Sequence, residues 1–349
     1  MKKYLQIFLP FLSILISVMF LLIVFTSIKP VNAFAETYDI LLNELKPVKL
    51  SAGEVKSFYF TSNDNRYYVI ETTGYYGTKL RVSNLQNGEV VDTVSGIGDN
   101  ARIYFRAEAT KQIKIDVKFY NSSYSGSTTL QVRRQTISMF GYVDKNNNST
   151  ISDLATPYNK FNSIFNAIKY ENVSANFALS NDERGIAALN SEVLFFSGHG
   201  NEDGSGVAFY NNGSYAGSIS NNMSINMDRT KVAMWSACCS ASDNNSMNMS
   251  IAEASVRVAG AKSAVGFKKT VSFSSAKTFT NKFFTKLAEG SSVNNAAKKG
   301  AASIIWAWDN VKKYSVFGRG EITVTSVTED SSTIFSLNKN NLSDYFKLQ

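Results

Sequence analysis

Histidine occurs once in this chain of 349 residues, as His199, and cysteine only as the adjacent pair Cys238 and Cys239. Two neighbouring cysteines cannot staple a small disulfide-rich domain. With one histidine and no CxxC spacing, the zinc-ligand patterns are absent, and so are the glycine-rich motifs that cradle phosphates. The formal charge of +8 is modest. Three of its contributors, Lys2, Lys3 and Lys29, precede Ala35 in a span without acids, which takes +8 down to +5 for the remainder. That excess is spread along the chain. It suits retention near an anionic cell envelope, and no Lys/Arg cluster argues for nucleic acid as a partner.

Against these scarcities, the positions of the few reactive residues stand out. Val193–Phe196 is a short apolar run that breaks into Ser197, Gly198, His199 and Gly200. Val232–Trp235 is a second such run, breaking into Ser236, Ala237, Cys238 and Cys239. Both runs read as buried strands. In open α/β sheets, ligands bind beyond the carboxyl ends of the strands, so two parallel neighbours place His199 and Cys238 side by side. A thiol beside a base is the arrangement of nucleophilic catalysis. The two glycines let backbone approach closely and leave N–H groups for an oxyanion.

An apolar run ending in Ser-Gly-His-Gly, followed by another ending in Ser-Ala-Cys, resembles the caspase-like (clan CD) cysteine peptidases, a group that includes gingipains, clostripain-like enzymes and CHAT domains. The likeness extends over about 136–324, through Gly260–Gly266 and the segment 279–297. It implies Cys238 as nucleophile, His199 as its acid–base partner, and the N–H groups of Gly200 and Cys238 as the oxyanion hole, with no cofactor. It also implies that the residue two before the nucleophile, Ser236, lines the pocket for the substrate side chain before the scissile bond. That position is acidic in relatives that cut after Arg or Lys. A neutral serine here does not enforce a basic residue, although an acid elsewhere, such as Asp203, is a candidate to do so.

Along the chain, Lys2 and Lys3 precede an apolar run over 4–25, and Ala33-Phe34-Ala35 matches a signal-peptidase site. Residues 1–35 are therefore expected to be a secretory signal peptide, the alternative being an uncleaved anchor. From 36 to 135 the apolar period is two, as in Ile113, Ile115, Val117 and Phe119, with turn signals between the runs. This predicts an antiparallel β-sandwich. Its phrasing resembles bacterial pre-peptidase C-terminal (PPC) domains and is read as a spacer or folding aid, so that residues 136–349 alone would retain peptide turnover. From 136 to 327, strands alternate with helical patterns, predicting an α/β domain with about six mostly parallel strands covered on both faces. Within it the spacing predicts a helix over 159–170, strands over 173–179 and 321–325, and a helix over 293–307. Residues 328–349 read as a tail.

Asp144–Asn148 begins like a calcium loop, but Ser149 and Ala155 stand where that loop needs Gly and Glu. It is read as a solvated strand-to-helix turn, with a likeness to the acidic loop after the first strand of clostripain-like enzymes. Trp306 and Trp308 are read as packing residues. The whole points to a secreted cysteine endopeptidase acting on peptide or protein substrates. The alternatives are a non-catalytic envelope or adhesion protein on the same fold, or an effector active only with a partner. Mass analysis of secreted material is expected to find Glu36 as the mature N-terminus; a chain still starting at Met1 contradicts cleavage.

Overall fold

A computed structural model describes residues 37–325 except 85–89, 95–100, 180–184, 186–187, 222–224, 243–248 and 307. The expected signal peptide and C-terminal tail lie outside the described residues. Among those described, no helix is long and apolar enough to cross a membrane.

The first nine strands form two packed sheets. They are β1 (Thr37–Asp39), β2 (Leu45–Leu50), β3 (Lys56–Thr61), β4 (Tyr67–Thr73), β5 (Thr78–Asn84), β6 (Val90–Val94), β7 (Arg102–Arg106), β8 (Gln112–Phe119) and β9 (Gly126–Arg134). One sheet has the order β1-β3-β8-β5-β6 and the other β2-β9-β4-β7. Alternation decides what faces inward: on β8, Ile113, Ile115, Val117 and Phe119 are buried while Lys118 is exposed. Those side chains meet Val48, Tyr68, Ile70 and Val132 from the opposite sheet in one core. The short β1 pairs parallel to β3, a departure from the all-antiparallel expectation.

One residue beyond β9 the chain enters a second architecture. The strands are β10 (Thr136–Gly141), β11 (Asn166–Glu171), β12 (Val193–Ser197), β13 (His199–Gly200), β14 (Gly206–Asn211), β15 (Ser214–Ser220), β16 (Val232–Ser236), β17 (Ser263–Phe267) and β18 (Tyr314–Gly318). The helices are α1 (Ala155–Phe161), α2 (Ala175–Ala178), α3 (Ile251–Arg257), α4 (Phe273–Ala288) and α5 (Val293–Ala302). A six-stranded sheet runs β11-β10-β12-β16-β17-β18, parallel except for the edge strand β18. Its central strands are buried along their whole length, as a sheet covered on both faces requires. One face carries Val193, Phe195, Val232 and Met234 against Phe279, Phe283, Phe284 and Leu287 of α4. The other carries Leu194, Phe196, Ala233 and Trp235 against Val207, Phe209, Ile219 and Ile251.

Several local expectations differ from what forms. The helix expected over 159–170 is α1 followed by β11: helical spacing of Phe161, Ile164, Phe165 and Ile168 arises by chance across a helix end, a turn and a strand. The expected strand 173–179 is the single turn α2, started by the Ser174 side chain accepting from Phe177 N–H. The last strand lies at Tyr314–Gly318, not at 321–325, and α5 stops at Ala302.

The sandwich and the α/β unit share a buried charge network. Glu71 on β4, 1% exposed, meets Arg133 (2.9 Å), Arg102 (3.1 Å) and, from the α/β unit, Arg229 (3.0 Å). Arg133 also grips Glu192, fully buried just before β12, at 2.6 Å, and Glu192 accepts from Thr136 N–H at 2.7 Å. Burial alone would raise the Glu71 carboxyl, but the arginines outweigh it and hold it at about 2. That stabilisation is present above the ordinary carboxylate range and is lost as pH falls through about 2. Breaking a buried pair by removing one partner is costly. The contacts therefore favour the folding-aid role over a free spacer. Arg133→Met is expected to destabilise the chain by about 3–5 kcal/mol, and a chain starting at Thr136 to fail to give a cooperative thermal transition. A cooperative, active 136–349 fragment contradicts this.

Candidate active site

The β12–β16 register pairs Ser197 with Ser236 at the carboxyl ends of both strands. Two residues farther on each chain come His199 and Cys238. Gly198 N–H donates to Ser236 O at 3.1 Å, so the two loops start out bonded to each other. The structure thus brings the loops of both expected catalytic residues together at one sheet edge. The glycines serve this packing. A Cβ on Gly198 would strike the Tyr142 ring, and one on Gly200 would strike the Cys238 carbonyl oxygen.

His199 is held on several sides. Its backbone N–H donates to the Tyr142 hydroxyl. Its ring packs near Tyr142, Tyr210 and Phe273, with centroids 6.1, 5.7 and 5.6 Å away. Nε2 lies 2.9 Å from Asp144 Oδ2. Asp144 is 2% exposed and also accepts from Asn146 N–H (2.7 Å), Asn148 N–H (2.9 Å) and Asn148 Nδ2 (2.9 Å). Burial pushes this carboxyl up, but the hydrogen bonds from Asn148, His199 and Asn146 outweigh it and hold it at about 2. An ionised carboxylate only accepts, so Nε2 is the donor in this bond, and in the neutral imidazole Nδ1 is the nitrogen that presents a lone pair. The 144–148 turn is therefore not simply solvated. Its acid is buried and aimed at the histidine, a role the sequence reading missed. The available signal was an acid just past β10, the strand beside β12.

Cys238 follows β16 in a turn and is partly exposed. Its Sγ lies 3.5 Å from Val271 N and 3.6 Å from Val271 O. Ser240, fully buried, fastens the turn: its Oγ lies 2.7 Å from Trp235 O and accepts from Phe267 N–H at 3.1 Å. Cys239 adopts φ +57°, a left-handed conformation that costs a non-glycine residue about 1–2 kcal/mol. It is 8% exposed, and burial pushes its thiol up. The N–H groups of Ala237, Cys239 and Ser240 donate to Trp235 O, Lys269 O and Ala237 O. That of Cys238 has no protein acceptor among the described residues. Gly200 faces Val207 across an antiparallel ladder whose next bond runs from Asn201 N–H to Gly206 O. Gly200 is thus at a non-hydrogen-bonded position, with its N–H directed away from β14.

No contact joins the two expected pocket residues. Ser236 is 4% exposed, and its buried Oγ has no partner among the described residues. By strand alternation it shares the α4 face with Ser197, whose Oγ donates to the buried Asp153 at 2.7 Å. Asp203 is exposed in the turn after β13, its carboxylate accepting from Ser205 N–H at 2.9 Å. Among the described residues, no three His, Cys, Asp or Glu side chains gather as a metal set.

No protein-family model and no curated protein matches the chain. Solved structures do. The Arg-specific cysteine proteinase gingipain R is 14% identical with a TM-score of 0.43, covering 56% of this chain and 48% of that one. The pre-peptidase C-terminal domain of a Bacillus anthracis collagenase is 19% identical with a TM-score of 0.25, covering 29% of this chain and 98% of that domain. The chain spans about half the length of the gingipain and nearly all of the collagenase domain.

Proposed function

We propose that the chain is an exported, caspase-like cysteine endopeptidase. The observation that carries this reading is the β12–β16 register, which sets the loops of His199 and Cys238 together while Asp144 orients the imidazole. In the reaction, Cys238 Sγ attacks the carbonyl carbon of the scissile peptide bond, and the thiol proton passes to His199 Nδ1. The N–H groups of Gly200 and Cys238 receive the charge that develops on the carbonyl oxygen. As the C–N bond breaks, the imidazolium returns its proton to the leaving amine. Water then attacks the thioester, His199 takes its proton, the S–C bond breaks to release the acid, and the imidazolium returns that proton to Cys238 Sγ. Asp144 touches no substrate. It is a positioning residue that fixes the tautomer and offsets the imidazolium charge.

Ser236 leaves the pocket before the scissile bond without a fixed negative charge of its own, and Asp203 is held by its own turn. Ser236 therefore does not enforce a basic residue, while Asp203, exposed and charged, stays a candidate to do so.

The test is labelling by a peptidyl acyloxymethyl ketone. Cys238→Ala is expected to abolish labelling and turnover. Cys239→Ala is expected to keep most of both, at a packing cost of about 1 kcal/mol. Labelling that persists in Cys238→Ala and vanishes in Cys239→Ala contradicts the assignment.

A further inference from the structure

The tryptophans read from sequence as packing residues do not pack inward. Trp306 and Trp308 are 58% and 75% exposed, and Ile305 beside them is 87% exposed. The two indoles stack on each other, centroids 5.1 Å apart and planes 27° apart. They occupy the turn after α5, whose buried Ile304 enters the α4-side core. Single exposed apolar residues are ordinary, but three close together in sequence mark an interaction site.

Their position is tied to the nucleophile. Asp309, which closes the turn, accepts from Ser275 Oγ in the first turn of α4. Asn310 Nδ2 donates to Thr270 O at 3.0 Å. The segment so gripped holds Val271, in contact with Cys238 Sγ, and Phe273, edge-on to His199 and 42% exposed. Two hydrogen bonds thus tie the indole turn to the segment that carries Val271 and Phe273. The surrounding charge is positive. Lys269 and Lys313 are exposed on adjoining segments, joined where Lys268 N–H donates to Lys313 O at 2.7 Å. The turn's own acid, Asp309, accepts from Ser275 Oγ and Val311 N–H and keeps its charge, so the two lysines outnumber it by one.

We infer that Ile305, Trp306 and Trp308 form a docking site for polypeptide substrates, taking bulky aromatic side chains flanked by acidic residues at a distance from the scissile bond. The inference rests on the peptidase reading for the identity of its occupant. Indoles already stacked lose little freedom on binding, so contact area is gained at low entropic cost. The lysines favour acidic neighbours and discriminate against basic ones. The tie between the indole turn and the segment that touches Cys238 and His199 favours a peptide over a lipid surface.

The experiment measures binding, which does not require turnover. Fluorescence anisotropy reads the affinity of the full chain, carrying Cys238→Ala, for a fluorescein-labelled peptide with a Phe-Glu-Phe block. Adding Trp306→Ala and Trp308→Ala is expected to raise the dissociation constant about tenfold, as loss of an aromatic anchor does. Trp306→Phe with Trp308→Phe is expected to restore it, and a peptide with Ala for Phe to bind weakly to every form. An unchanged dissociation constant overturns the inference. So does a double alanine variant that loses retention on phosphatidylglycerol vesicles while peptide binding is untouched. If the pair governs peptide binding but the unsubstituted chain turns over no peptide, the docking site stands and the peptidase reading falls.

Discussion

The pairing of Ser197 with Ser236 across two parallel strands is the constraint on which the candidate site depends. A one-residue slip of β16 would send Val232 and Met234 to the face now filled by Trp235, and Trp235 into the phenylalanines of α4. Both cores oppose that slip, because each face is filled by side chains of different size. Packing far from the chemistry therefore fixes the relative position of two loops whose sequences alone do not. The Cys238 turn is then trimmed locally: Ser240 ties it to β17, and the left-handed Cys239 turns the chain away so that Cys238 stays partly exposed.

The same logic extends outward. Glu192 sits immediately before β12 and is held by Arg133 from the sandwich. The strand that carries the histidine thus begins at the interface with the sandwich and ends at the candidate site. Charges this deeply buried tolerate only their own partners, which makes the sandwich part of the scaffold of the site.

Much of this was legible in the sequence, and unevenly so. The buried strands with reactive residues at their ends were visible because continuous apolar runs that stop at Gly and Ser have few other readings. The sandwich was visible from a different signal, strict alternation of apolar and polar residues between turn residues. Asp144 was visible as an acid in a turn, but its target was not: the sequence does not show that β10 lies beside β12, and only adjacency makes the carboxylate an orienter. Tyr142 was hidden likewise, since its contact with Gly198 joins segments 56 residues apart. The error at 159–170 has a simpler cause. Four phenylalanine and isoleucine side chains kept helical spacing across a real helix end, and no proline or glycine marked the boundary. The tryptophans misled because tryptophan is usually buried, and exposure depends on where the turn lies in the fold.

The hydrogen bond from His199 Nε2 to Asp144 is where scaffold and chemistry meet. The most direct measurement is kcat and KM for one library-selected peptide in the unsubstituted chain and in Asp144→Asn. An asparagine keeps the shape of the turn but removes the charge and permits the other tautomer. The account predicts a kcat lower by about 10²-fold or more with KM little changed. An Asp144→Asn chain that matches the unsubstituted one in kcat would contradict it.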